Sequence, residues 1–396
     1  MMPETTQHEK IKKVCVVTTT RADWGLLMPL ARALQTDDDI QLSIVASNMH
    51  LLPEFGMTVD EITSAGFCVD ERVDMHVEGS SEHSRAKAMA RCLDGFADSF
   101  SRLDPDAVVL LGDRYEMLAV ASAAAVMHIP IVHIAGGEIS EGAVDDSIRH
   151  AITKLATFHL TATEPYRRRV IQMGEEPDRV VNTGAIGVWN AMNVECIPVA
   201  ELESDLGFDL SSGPVAVVTY HPATNDGVSP TVRVKALLDA MDSFPDLRYV
   251  ITYPNNDAHS EEIIECLREY SGTHADRVLL IRSLGMRRYL SMLALARLVI
   301  GNSSSGIVEV PSAGIPTVDI GMRQRGRIAA ESVIHCGDSA LEIRSAIEEA
   351  LSPQTQILAS RRENPYFRPD TLQLMHQAVR DFLWSLPLPP KKFHDL

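Results

Sequence analysis

The sequence predicts an α/β protein of two similar halves, each a parallel sheet covered by helices. Three observations predict it. Short apolar runs recur, each ending in polar or glycine-containing residues; a longer stretch with helical spacing follows each run; and the series pauses in a polar, acidic interval near residues 199–213, then begins again.

In the first series, Val14–Thr18, Gln41–Ala46, Ala107–Leu111, Ile131–Ile134 and Phe158–Thr161 read as buried strands. Leu26, Leu30 and Leu34 mark one face of the first helix, and residues 146–157 can carry another. The second series runs Val215–Thr219, Tyr249–Thr252, Val278–Ile281, Leu298–Ile300 and Thr317–Ile320. The linker is placed near residues 188–212, giving units of 1–190 and 191–367. At the end, Leu372, Met375, Val379, Phe382, Leu383 and Leu386 fall at helical spacing, with Asp370 in the N-cap position. Such a face needs a surface, so residues 368–396 are expected to return and pack on the first unit.

A length of 396 residues, 45% apolar and 23% charged, excludes collagen-like, low-complexity and disordered chains and suits two domains. Thirty-six Lys and Arg against 54 Asp and Glu leave a net charge of −18, which opposes contact with nucleic-acid phosphates and anionic membranes. Neither is expected as a partner. An anionic small molecule therefore needs a local cluster of arginines. The six cysteines are scattered without a Cys-x-x-Cys pair, so neither a zinc site nor a disulfide framework is indicated, and a reducing cytoplasm is the expected location. The first thirteen residues lack the apolar stretch of a signal peptide, and the longest apolar stretch, Leu118 to Ile131, is broken by Ser122, His128 and Pro130. No export or membrane span is predicted. Without Gly-x-Gly-x-x-Gly or Gly-x-x-x-x-Gly-Lys, an NAD or ATP site has no motif support.

Ligands of open α/β sheets bind beyond the carboxyl ends of the strands, so the residues after each run carry the chemistry. The first run leads through Thr18, Thr19 and Thr20 to Arg21 and Asp23: a phosphate contact beside a helix start, or an ordinary turn with an exposed arginine. The third ends Gly112, Asp113, Arg114. The fourth ends His133, Ile134, Ala135, Gly136, Gly137, Glu138, followed by Asp145, Asp146, Arg149 and His150. Either aspartate could cap the helix, and Arg149 and His150 could face solvent. The second half offers His221 and Pro222, then Pro254, Asn255, Asn256 and Asp257. It also offers Gly301, Asn302, Ser303, Ser304, Ser305, Gly306, Ile307, Val308, Glu309, whose turn suits a diphosphate, with Glu309 in the first helical turn able to accept from ribose hydroxyls. Arg323, Arg325 and Arg327 supply positive potential beyond the next run. Arg167, Arg168 and Arg169 read as a helix surface, and Trp189 and His159 as packing.

These residues together resemble the hydrolysing UDP-N-acetylglucosamine 2-epimerases of sialic and legionaminic acid synthesis. The segments TTTRADWGLL, GDRYEMLA, HIAGGEISEGAVDDSIRHAITKLA, VVTYHPAT and IGNSSSGIVEVPSAGIPTVDIGMRQRGR occur in the family's order over nearly the whole chain. The resemblance implies two Rossmann-like domains facing a cleft, as in GT-B glycosyltransferases. It implies that Arg21, His221, Asn255, Arg282, Ser303, Ser304, Glu309 and Arg323 contact UDP. Asp113, Arg114, Glu138, Asp145, Asp146 and His221 would surround the sugar. Many relatives carry Glu where this chain has Ala135, which gives Glu138 a share of the acid-base work, and an aspartate that some carry between residues 184 and 190 is missing. A homodimer or homotetramer without cofactor or metal is implied.

The implied chemistry follows from acidity. The C2 proton of an N-acetylhexosamine is not beside a carbonyl, so UDP must leave before or with it. Arg282, Arg323 and the serine turn would stabilise the leaving diphosphate, and a carboxylate would remove the C2 proton in an anti elimination to 2-acetamidoglucal. Water then adds from the other face. UDP-N-acetylglucosamine giving N-acetylmannosamine is the expected reaction. The 2,4-diacetamido-2,4,6-trideoxyglucose analogue is the alternative, with a GT-B glycosyltransferase, a non-hydrolysing epimerase and a nucleotide-sugar binding module as competitors.

Overall fold

A computed structural model of the chain describes residues 11–76, 79, 81–141, 144–222, 229–255 and 259–396. Asn256 and Asp257 lie outside the described residues, as do residues 1–10 and parts of two quoted motifs, Gly142 with Ala143 and Ala223 with Thr224.

The described residues form thirteen strands in two sheets. The first sheet holds β1 (Lys12–Thr18), β2 (Ile40–Ser47), β3 (Glu71–Val73), β4 (Ala107–Leu111), β5 (Ile131–Ile134), β6 (Phe158–Thr161) and β7 (Val180–Asn182), in the order 3-2-1-4-5-6-7. The second holds β8 (Val215–Thr219), β9 (Arg248–Thr252), β10 (Val278–Ile281), β11 (Ala296–Gly301), β12 (Thr317–Ile320) and β13 (Val333–Cys336), in the order 10-9-8-11-12-13. Every strand pair is parallel, as in Cys15 beside Val108 and Val217 beside Val250. Helices cover both faces, which is why β4, AVVLL, is buried at every position and reads as an unbroken apolar run. This is the two-domain Rossmann-like architecture that the sequence predicts.

On one face of the first sheet, Phe96 and Phe100 of the Glu82–Leu103 helix pack with Met117 and Ala121 of the Tyr115–Val126 helix. On the other, Leu27, Leu30 and Leu34 of the Arg21–Gln35 helix meet Met375, Val379 and Phe382 of the Thr371–Trp384 helix. The C-terminal helix thus returns to the first sheet. Phe382 stacks on Phe158 with centroids 4.8 Å apart, and Arg380 donates to Asp37 at 2.6 Å. Removing such a buried aromatic costs roughly 3–5 kcal/mol.

Several details differ from the sequence reading. β3, β7 and β13 lie outside the strands read from sequence, because these short edge strands are only partly buried and carry no unbroken apolar run. The interval read as linker holds the helices Ile186–Asn193 and Val199–Leu206, and Leu202 packs with Phe208 and Leu210 in a core cluster of the second sheet. Asp370 occupies the N-cap position without capping: its carboxylate is held by Arg368 at 3.1 Å. Among the described residues no helix is long and apolar enough to cross a membrane.

Candidate active site

Strand order reverses between β1 and β4 in the first sheet and between β8 and β11 in the second. Crevices open at such switch points because the flanking crossovers leave on opposite faces. Two turns there require glycine. Gly112 has φ +84° and turns Asp113 out of β4; Gly301 has φ +141°, and a Cβ on it would lie 1.9 Å from the Thr219 carbonyl oxygen.

On the first side, Arg149 organises the acids. It is only 1% exposed, yet ionic, and every arm is used. Its Nη2 pairs with Asp113 and donates to Ser140 Oγ at 3.0 Å; its Nη1 donates to the Glu138 carbonyl at 3.0 Å and to Asp146 at 3.3 Å. Asp146 also accepts from the Ser140 amide at 2.6 Å. A fully buried Glu116 performs the matching task for Arg114, accepting from its Nε at 2.7 Å and from Asn48 at 2.8 Å. His133 donates from Nε2 to the Gly112 carbonyl at 2.8 Å, and burial pushes its pKa down to about 3, so a neutral ring pins the turn that carries Asp113.

On the second side, the Asn302 side chain clasps the His221 backbone, at 2.7 Å to its amide and 2.8 Å to its carbonyl. His221 Nδ1 accepts from the Asn255 amide at 3.2 Å, which leaves the proton on Nε2. Arg323 donates to the Asn302 carbonyl at 3.2 Å. The helix behind the serine turn is short, Ser304–Val308, so its dipole is small and positive charge must come mainly from arginines. Glu309 lies past the end of that helix rather than in its first turn, pressed against Gly187, where a Cβ would meet its Oε1 at 2.0 Å.

Three adjacent cavities lie between these walls, sharing lining residues. One of about 260 Å³ is lined by Arg21, His221, Asn255, Ser303, Ser304 and Arg323. A second, about 180 Å³, is lined by Asp113, Arg114, Glu138, Arg149 and Arg327. A third, about 140 Å³, has Asp145, Asp113, Arg323 and Arg327 on its walls. Ser304 and Glu309 border both of the first two. Across the cleft, Glu138 pairs with Arg327, whose other arm reaches Ser140 at 3.4 Å, while Arg21 donates to the Arg282 carbonyl at 2.9 Å.

The electrostatics separate the acids. Burial raises the Asp113 pKa, but Arg149, Arg327 and Arg323 together outweigh it, and the net shift is downward. Glu309 moves oppositely: burial, opposed only in part by Ser305 and Arg327, lifts it to about 7, and its Oε2 is buried without a partner. Asp113 is therefore a carboxylate at neutral pH, while Glu309 is half protonated.

Of the residues singled out from sequence, Arg21, Asp113, Arg114, Glu138, Asp145, His221, Asn255, Ser303, Ser304, Glu309 and Arg323 border these cavities. Arg282 is exposed and outside the lining, contributing its backbone carbonyl, and Asp146 sits behind the wall on Arg149. Arg325 points to the surface and pairs with Glu141. Arg149, left open between a converging polar cluster and a solvent-facing role, and Glu116, not singled out, are both buried organisers; for Glu116 the sequence signal is a charge on a helix face otherwise made of Ala119, Val120 and Ala123. Arg167 and Arg169 are not plain surface either, since they donate to the carbonyls of Val180 and Gly137.

The profile of the family described as UDP-N-acetylglucosamine 2-epimerase matches residues 32–380. A Campylobacter jejuni protein named GDP/UDP-N,N'-diacetylbacillosamine 2-epimerase (hydrolyzing) is 39% identical over 82% of this chain and 84% of its own. An Escherichia coli polysialic acid biosynthesis protein, P7, is 34% identical over 98% of each chain. In fold, the chain is similar to Neisseria meningitidis UDP-GlcNAc 2-epimerase bound to UDP-GlcNAc, with a TM-score of 0.79 at 17% identity over 93% of this chain and all of that one.

Proposed function

This chain belongs to the UDP-N-acetylglucosamine 2-epimerase family, and from that premise we propose that it hydrolyses a UDP-2-acetamido sugar to UDP and the free 2-epimer. One observation carries the reading: a cavity lined by arginines and serines adjoins one lined by carboxylates, with Ser304 and Glu309 common to both at the junction. A diphosphate in the first and a sugar in the second put the glycosidic bond at that junction.

Arg21 and Arg323 hold the diphosphate and take up charge as the C–O bond breaks. Nε2–H of His221 offers a donor on the same wall. Asp113, ionised among arginines, is placed to receive the C2 proton, giving 2-acetamidoglucal. Water then adds across the double bond from the opposite face, with Glu138 or Asp145 supplying the proton exchange. No carbon is oxidised overall, so the sequence of steps is complete without a redox cofactor.

We place UDP-N,N'-diacetylbacillosamine, the 2,4-diacetamido-2,4,6-trideoxy sugar, ahead of UDP-N-acetylglucosamine, because a relative named for the former is 39% identical. The second reading, release of N-acetylmannosamine, draws support from the relative named for polysialic acid biosynthesis. The test is incubation with each nucleotide sugar in deuterated water, without acceptor, followed by NMR. Free 2-epimer carrying deuterium at C2, together with UDP, is expected. An epimer still attached to UDP, or no turnover until an acceptor is added, overturns the reading.

A further inference from the structure

Ala135 and Ala185 line the sugar cavity at positions where the backbone favours other residues. Ala135 has φ +67°, a left-handed conformation that Gly, Asn or Asp adopts at lower cost, and glycines follow it at 136 and 137. Ala185 is the N-cap of the Ile186–Asn193 helix and makes no side-chain cap. Ser, Asn or Asp there would stabilise the helix, and Ala is among the poorest choices. Both residues line the cavity of about 180 Å³, beside Leu111, Ile134 and Leu160.

The cavity is therefore two-faced. Its lining includes the charged Asp113, Glu138, Arg149 and Arg327, while Ala135, Ala185, Leu111, Ile134 and Leu160 offer only carbon from their side chains. A sugar hydroxyl pressed on those side chains would lose its water without gaining a side-chain partner, whereas a methyl-bearing substituent would gain contact.

We propose that Ala135 and Ala185 form an apolar wall that selects a sugar bearing a deoxy methyl and N-acyl methyls in place of free hydroxyls. This rests on the reading of the chain as a hydrolysing UDP-sugar 2-epimerase. Ala135 and Ala185 act on specificity and leave bond breaking to the charged residues.

The test compares kcat/KM for UDP-N,N'-diacetylbacillosamine and UDP-N-acetylglucosamine in the unaltered chain, in Ala135→Gly and in Ala185→Ser. Ala135→Gly removes a methyl while relaxing the backbone, and Ala185→Ser adds a hydroxyl while improving the cap, so thermal stability should hold or rise in both. The unaltered chain should favour the diacetamido sugar by roughly tenfold or more, in the range that one apolar group commands. Each variant should lower kcat/KM for that sugar by roughly tenfold and leave UDP-N-acetylglucosamine within about twofold. Release of both free sugars with an unmoved ratio, or a preference for UDP-N-acetylglucosamine at the outset, overturns the wall alone. Release of neither sugar overturns the enzymatic reading and the wall with it.

Discussion

Glu138 and Arg327 form a buried ion pair across the cleft, each side chain about 7% exposed, and the same loops meet again where the Glu141 amide donates to the Arg325 carbonyl at 3.2 Å. Glu138 draws the Arg327 pKa upward despite its burial. A desolvated pair is costly to break from one side, because the remaining charge has no water to turn to. Arg327→Met should destabilise the protein by roughly 3–5 kcal/mol in urea unfolding, and Glu138→Gln in the same background should recover part of that loss. Additive single effects would show that the two do not interact.

Asp113 supplies the clearest test of the chemistry. Asp113→Asn keeps the shape but cannot accept a proton, and it leaves Arg149 with only its longer ion pair, to Asp146 at 3.3 Å. Turnover should fall by roughly 100-fold or more, while UDP affinity stays within a few-fold because the diphosphate wall lies elsewhere. Titration calorimetry with UDP beside a product assay separates the two. Near-normal turnover in this variant and in Glu138→Gln would remove both residues from the mechanism.

Arg149 also sets the pH at which Asp113 works. With Arg149 in place, Asp113 titrates below its ordinary range; Arg149→Met removes the largest of the opposing charges and leaves burial to push the pKa up. The acidic limb of the kcat/KM profile should then move to higher pH. A limb that stays in place would assign it to another group.

Why some of this was legible in the sequence and some was not has a physical reason. Strands such as Ala107–Leu111 are covered on both faces, so their boundaries coincide with the ends of apolar runs, and the residues after them, Asp113, His221 and Ser303, fall at the cleft because parallel strands all end on one side. Arg149 and Glu116 escaped because their significance lies in partners 36 and 68 residues away, Asp113 and Asn48, which periodicity does not report. Glu309 was found for its motif, but its burial depends on Gly187 of another helix, whose missing Cβ makes room for Oε1.

Among the contacts that hold the C-terminal tail to the first domain is one carboxylate, Glu175, which meets Lys391. Glu175 accepts from Lys154 at 2.6 Å, Lys391 at 2.7 Å and His159 at 3.0 Å. Burial raises its pKa, but these three donors outweigh burial and carry it down to about 2. A depressed carboxyl stabilises the fold above its unfolded pKa and loses that contribution as pH falls through the folded one, here from about 4.5 to about 2. Lys391→Met should lower Tm at pH 7 and shift acid unfolding to higher pH. A Tm difference that persists unchanged at pH 2 would place the effect in packing instead.

Glu309 couples nucleotide binding to protons. Its pKa of about 7 reflects burial with one oxygen unpaired, and ribose hydroxyls at that oxygen would donate to the ionised form. Binding then lowers the pKa and releases a proton from the fraction that was protonated. UDP affinity should be constant well above pH 7 and weaken as pH falls through 7, approaching about tenfold per unit below it. Titration calorimetry in buffers of different ionisation enthalpy measures the proton directly. Glu309→Gln should bind UDP more weakly at pH 8 and lose this step, keeping only the titration of the terminal phosphate of UDP, near pH 6. If the variant retains the step at pH 7, the proton belongs to another group, and the orphaned carboxylate oxygen does not meet the ribose.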